Sequence, residues 1–230
     1  MASRRDAEKM ILAGRVQVDG QTLAHPAFLV TGKSHVRVDG KELKKPEAAR
    51  MWRYHKPPGL LTTARDPEGR PTVFDGLPKH LPRVISVGRL DFNSEGLLLF
   101  TNDGGLARHL ETSELPRRYR IRIHLGNREA KLDEKKLKDL RHGITIDGIR
   151  YKPIEVKVEH AKSTNLWLEL ALKEGKNREI RKIMEHLGYQ VNRLIRQGFG
   201  PFALGRLQQG GIEEIPASAL RKLLPEFFKG

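Results

Sequence analysis

Leu97-Leu98-Leu99-Phe100-Thr101 is an unbroken apolar run closed by Asn102-Asp103-Gly104, and it constrains the core of this chain more than any other segment. A run of that length, bounded by turn residues, predicts a buried strand. Val84-Ile85-Ser86-Val87 is a second apolar segment just upstream. Between the two lies a polar turn, Gly88-Arg89-Leu90-Asp91-Phe92-Asn93-Ser94-Glu95-Gly96. The turn sets one carboxylate, Asp91, at the edge of a core with Arg89 two residues before it. Such a placement presents a single acid to a substrate; a capping or turn aspartate is the plain structural alternative.

Further strands are expected over Met51–His55, Tyr119–Leu125 and Trp167–Leu172, and a helix over Asp133–Arg141 that ends at Gly143. Ile144-Thr145-Ile146-Asp147-Gly148 opens a hairpin. The clearest helix runs over Asn177–Leu187, where Ile180, Ile183, Met184 and Leu187 recur at helical spacing and Gly188 stops it. Hairpins that outnumber irregularly placed helices indicate an α+β chain with a mixed, largely antiparallel sheet.

The first 45 residues form a separate pattern. Val16-Gln17-Val18-Asp19-Gly20-Gln21-Thr22-Leu23 returns as Val36-Arg37-Val38-Asp39-Gly40-Lys41-Glu42-Leu43, and each copy alternates into an Asp-Gly hairpin turn. Before them a helix fits Arg4–Ala13, with Ala7, Met10 and Ile11 on one face and Gly14 ending it. Lys44-Lys45-Pro46-Glu47 is the expected linker to the remainder of the chain.

Charge narrows the function classes. A net charge of +15 over 230 residues points to a polyanionic partner, and the first 56 residues carry twice as many basic as acidic side chains. With no cysteine, disulfides, thiolate metal sites and a thiol nucleophile are excluded. The nine histidines lack metal-ligand spacing, and no glycine-rich phosphate loop occurs, so neither a metal nor a cofactor is expected. No apolar run is long enough for a membrane span, and the first residues have no secretory pattern. A cytoplasmic monomer that meets nucleic acid is the expectation.

The run from Gly88 to Gly104 closely resembles the catalytic motif of pseudouridine synthases, in particular the RsuA/RluB type that modifies ribosomal RNA. Three further stretches carry the same resemblance: His55-Lys56-Pro57-Pro58-Gly59-Leu60-Leu61, Glu174-Gly175-Lys176-Asn177-Arg178-Glu179-Ile180-Arg181-Lys182, and Gly188 to Arg196. Asn93 after Leu90-Asp91-Phe92, together with Lys176 to Arg181, is closer to the RluB-like branch, which acts on large-subunit rRNA. Ser3 to Gly20 resembles the alpha-L RNA-binding module that precedes such catalytic domains, entered after the point where the family's first helix would be complete. The resemblance therefore implies a shortened alpha-L module over residues 1–45 and a catalytic domain over 46–230.

It also implies roles. Asp91 is the essential carboxylate, Arg181 its ion-pair partner, and Tyr119 stacks on the target uracil and handles protons. Leu194 packs against the base, Arg89 fills the space left by a flipped base, and Lys56 with its prolines and glycine belongs to the substrate floor. RNA contacts are expected from Arg4, Arg5 and Arg15 in the first module, and from Arg117, Arg118 and Arg178 in the second. Pro116-Arg117-Arg118-Tyr119-Arg120-Ile121-Arg122 suits this by interleaving basic residues with one aromatic. Two rival readings stand beside it. One is a ribosome-associated binder of the same fold without activity. The other is a hydrolase pairing Asp91 with Glu95 or Asp103. Small-subunit rRNA is the alternative substrate for the synthase reading.

Overall fold

A computed structural model of the chain describes residues 3–43, 47–125, 132–159 and 165–228, which fall into two compact units, Met1–Ala48 and Ala49–Gly230. In the first unit α1 (Arg4–Leu12) is capped by Ser3, whose side chain accepts from the Asp6 amide while Asp6 reaches back. Four short strands follow, β1 (Val16–Val18), β2 (Gln21–Thr22), β3 (Val36–Val38) and β4 (Lys41–Glu42), ordered β2-β1-β3-β4. Both Asp-Gly turns have positive φ at both residues, Asp19 and Gly20, then Asp39 and Gly40, as a two-residue hairpin requires. Val16, Val18 and Leu23 form the small core of this unit, with Met10, Ile11, Val36 and Val38 packed on it. Of the expected linker, Lys44, Lys45 and Pro46 lie outside the described residues.

The second unit is built on β5 (Met51–Lys56), β6 (Ile85–Val87), β7 (Glu95–Thr101), β8 (Arg117–His124), β9 (Ile144–Ile146), β10 (Ile149–Tyr151), β11 (Ile154–Val158), β12 (Asn165–Leu172), β13 (Gln190–Phe199), β14 (Phe202–Ala203) and β15 (Ile212–Ile215). The main sheet runs β11-β12-β8-β13-β7-β5-β15, with β6 added to β7 and β14 to β13. Its pairings are antiparallel except β13 with β7. The helices are α2 (Gly104–Thr112), α3 (Glu134–Asp139), α4 (Glu179–His186), α5 (Ala217–Leu223) and α6 (Pro225–Phe228). No described helix is long and apolar enough to cross a membrane.

β7 is buried along its whole length, and this explains the unbroken apolar run. Leu98 and Phe100 join one core with Trp52, Tyr54, Ile121 and Ile183; Leu97 and Leu99 join the other with Met51, Leu106, Phe199 and Leu220. Gly96 is where β7 meets β13 most closely. A Cβ there would stand 2.3 Å from the Arg196 carbonyl oxygen, and φ is +100°. Only glycine lets the parallel pair Arg196–Gly96 form beside the turn that carries Asp91.

Three expectations change. Asn102-Asp103-Gly104 does not merely turn the chain: Asp103 accepts from the Leu106 amide and caps α2, a helix the apolar pattern did not announce. An Asp-Gly pair suits a helix start as well as a turn, and Leu106, Ala107 and Leu110 are too few to show a period. The helix expected over Asp133–Arg141 is α3 followed by a 3-10 turn, Leu140–His142, that ends at Gly143. α4 begins two residues later than its apolar spacing suggests, because Arg178 takes a left-handed conformation at the cap.

Candidate active site

The turn between β6 and β7 is clamped from below. Thr62 Oγ1 donates to the Leu90 carbonyl at 2.9 Å, the Gly88 amide donates to Glu111 at 2.8 Å, and the Gly59 amide donates to the Phe92 carbonyl at 2.8 Å. Lys56 lies beneath the turn, 0 % exposed, and its ammonium donates to the carbonyls of Pro57, Phe92 and Ser94 at 2.9, 3.0 and 2.9 Å. All three of its protons are directed at backbone oxygens, so the expectation that Lys56 meets substrate is corrected: it is a buried strut for the turn that carries Asp91. Burial pulls its pKa down to about 8, against the pull of Asp91 and Glu95. The three carbonyl acceptors favour the charged form.

Asp91 stands on this support with a third of its side chain exposed. Arg178 Nη1 lies 3.9 Å and Arg181 Nε 4.0 Å from its Oδ2, both beyond hydrogen-bond length. Arg181 is anchored elsewhere, donating from Nη1 to the Val191 carbonyl at 2.9 Å, and burial lowers its pKa from the usual guanidinium value. The carboxylate thus faces two guanidinium groups and keeps its lone pairs open. Arg178 was expected only as an RNA contact; the structure brings it to Asp91 as close as Arg181.

A cavity of about 260 Å³ opens beside Asp91. Arg89, Tyr119, Leu194, Arg178 and Arg181 all line it, so the residues drawn from four separate motifs converge on one space. Tyr119 comes from β8 and Leu194 from the adjacent β13, both buried. Arg89 is exposed at the mouth.

The arginine stripe on β8 divides by strand alternation. Arg118 is exposed, whereas Arg117 is buried, stacks over the Phe199 ring at 4.5 Å and donates to the Lys173 carbonyl at 3.1 Å. Arg117 is therefore corrected from a surface RNA contact to part of the cavity wall. Arg4 and Arg5 are exposed on α1, Arg4 within reach of Glu8. Arg15 makes a two-pronged ion pair with Asp39, at 2.8 and 2.6 Å.

The carboxylates of the hydrolase reading are occupied structurally. Glu95 is 5 % exposed and accepts from Arg193 twice at 2.8 Å and from Gln209 at 3.0 Å. Asp103 caps α2. Neither lines the cavity beside Asp91.

Two cavity residues escaped the motif reading. Glu179 and Arg196 are each 3 % exposed. Glu179 lies one helical turn before Ile183, and Arg196 two residues after Leu194 in a strand, so both fall on buried faces by periodicity. Burial, with Glu174 alongside, pushes the Glu179 carboxyl up to about 7, although its Oε2 accepts from the Lys176 amide at 2.9 Å.

Comparison with known proteins agrees with this geometry. Residues 50–186 match the RNA pseudouridylate synthase family and residues 1–34 the S4 domain. A protein of Rickettsia prowazekii, named an uncharacterized RNA pseudouridine synthase, is 46% identical over 226 residues, covering 97% of this chain and 93% of that protein. Ribosomal large subunit pseudouridine synthase B of Salmonella typhimurium is 42% identical over 223 residues, covering 93% of this chain and 75% of that protein. A solved pseudouridylate synthase shares the fold, with a TM-score of 0.66 and 22% identity over 96% of this chain and 94% of its own. An α+β sheet that gathers an acid, a tyrosine and two arginines at one cavity, carried by a sequence with these relatives, belongs to the RNA pseudouridylate synthase family.

Proposed function

We propose that this chain isomerises a uridine of large-subunit ribosomal RNA to pseudouridine, with Asp91 as the initiating carboxylate. The observation that carries the proposal is the carboxylate itself: clamped from below, ion-paired at 3.9 and 4.0 Å yet not hydrogen-bonded, beside a cavity of about 260 Å³. The relatives named for large-subunit rRNA support the substrate, as does the net charge of +15, which suits a phosphate backbone.

The reaction breaks the bond between the sugar C1′ and the uracil N1, turns the base, and joins C1′ to C5. The C5 proton is lost and N1 gains one, so atoms and electrons balance without a redox partner. Asp91 starts the sequence by attack on the substrate or by removing a sugar proton. In either role it acts through its open carboxylate oxygens, with the two guanidinium groups at 3.9 and 4.0 Å. Tyr119 stacks on the base and takes part in the proton exchange, and Leu194 closes the opposite side. A base in folded RNA must first leave its stack, at a cost of a few kcal/mol. Arg89, exposed beside the turn, takes the space it vacates.

Tritium release from rRNA labelled at uracil C5 tests the proposal. The unaltered chain is expected to release label from the large-subunit transcript, and Asp91→Asn to release none while binding the RNA within about twofold of the parent. Release from the small-subunit transcript alone would overturn the substrate. Binding without release from either RNA would return the reading to an inactive binder.

A further inference from the structure

Phe92 directly follows the reacting acid, and its side chain is left in water. It is 41 % exposed, whereas every other aromatic ring among the described residues of the second unit is buried or partly buried. It belongs to neither apolar core of that unit. Its main chain is nevertheless fixed, because the Phe92 carbonyl accepts from the Gly59 amide at 2.8 Å and from the Lys56 ammonium at 3.0 Å. A lone exposed apolar side chain is ordinary on a protein surface. What singles out this one is the hollow it lines.

A second cavity, of about 350 Å³, is bordered by Phe92, Thr62, Arg65 and Arg70. It shares Arg89, Leu90 and Asp91 with the cavity of about 260 Å³ described above, so the turn that carries the acid borders both. The carboxylates along the second cavity, Asp66 and Asp91, already face arginine. Arg70 is neutralised by Asp66 at 2.8 Å and Glu68 at 3.1 Å. Arg65 and Arg89 are exposed, and neither side chain has an ion pair or hydrogen bond among the described residues. One fixed aromatic ring and two open cations therefore lie around one hollow beside the reacting acid.

That combination suits a nucleotide, whose base stacks on an aromatic face while its phosphate meets a guanidinium. A strand that delivers its uridine to the first cavity brings the neighbouring nucleotide alongside the second. We propose that Phe92 is the stacking platform for the nucleotide adjacent to the target uridine, with Arg65 on that nucleotide's phosphate. This rests on the uridine reading above and gives the same site a second base-binding position.

The experiment uses the full chain carrying Asp91→Asn, so that RNA binds without turnover, and an rRNA fragment spanning the uridine that the unaltered chain labels. Adding Phe92→Ala is expected to weaken binding about five- to hundredfold, the range that loss of one base–aromatic stack gives. Phe92→Trp, which keeps a ring, should bind within about twofold. The fragment is then made with an abasic sugar on one side of the uridine or on the other. At one of these positions the missing base should weaken binding to the Phe92 chain by a similar factor, yet cost the Phe92→Ala chain almost nothing. Such coupling separates a stack from a disturbed turn, which would lower affinity for every fragment alike. Arg65→Ala should flatten the dependence of log affinity on log salt by about one.

Affinity of Phe92→Ala within about twofold of the parent overturns the platform. So do abasic losses that are equally large in the Phe92 and Phe92→Ala chains at both positions. An unchanged salt slope removes Arg65 from it. Failure of the unaltered chain to release tritium from any rRNA transcript would instead overturn the uridine reading, and the platform with it.

Discussion

Asp91 and Glu95 lie four residues apart, and each is opposed by arginine, yet the two carboxylates are held in opposite ways. Glu95 is 5 % exposed and takes three hydrogen bonds of 2.8 to 3.0 Å, two of them from one guanidinium fork. Asp91 is one third exposed, with its arginines at 3.9 and 4.0 Å and no hydrogen bond to either. A forked ion pair saturates the carboxylate and ties β7 to β13, and such a carboxylate is architecture. A carboxylate whose cations stand just outside hydrogen-bond length keeps its lone pairs for a ligand. Arginine opposes both; distance and exposure separate the saturated carboxylate from the open one.

Substituting the two acids separates the roles most sharply. Asp91→Asn should lower kcat at least about a thousandfold, as loss of a reacting group does, with the denaturation midpoint nearly unchanged. Glu95→Ala should do the converse, costing about 2 kcal/mol in chemical denaturation through the lost charged hydrogen bonds. Its folded fraction should turn over within about threefold of the parent. Comparable kcat losses in both variants would break the distinction.

The two arginines facing Asp91 refine it. Arg178 has φ 52° and ψ 29°, a conformation that disfavours any residue but glycine, and it is half exposed. Arg178→Gly should relieve that strain and cost no stability. Turnover should still fall about tenfold, because water screens an exposed cation while the more buried Arg181 remains. A less stable variant with full turnover would make Arg178 a structural cap.

The smallest effect concerns the cavity wall. Glu179 titrates near 7 in the folded chain against 4.5 unfolded, through burial first. Between those values the folded chain holds a proton that the unfolded chain releases. Its contribution to stability is thus present at acid pH and falls as pH rises from about 4.5 to about 7. Urea midpoints measured across this window should slope less for Glu179→Gln than for the parent. An unchanged slope would show that Glu179 does not carry the proton.

Much of this was legible in sequence because it is local. Asp-Gly pairs announced the hairpins at Asp19, Asp39 and Asp147, and all three have positive φ. The four-residue apolar spacing of Ile180, Ile183, Met184 and Leu187 announced α4. Alternation in Arg117–His124 separated an exposed arginine from a buried tyrosine, once the strand's register was known. What was not legible depends on partners far along the chain. α2 hides behind an Asp-Gly signal shared by turns and caps. Lys56 looks like a basic residue in a substrate motif until the carbonyls of Phe92 and Ser94 close on it. Arg117 looks like a phosphate contact until Phe199 lies under it.

The order of residues was enough to determine the strand and hairpin pattern and the burial of β7, since periodicity and turn chemistry act over a few residues. Tertiary structure alone decided which charges are struts and which face the cavity. Glu95, Lys56, Arg117 and Glu179 share their chemistry with exposed residues of the same types, and their fates follow from burial and from partners that only the closed sheet brings within hydrogen-bond length.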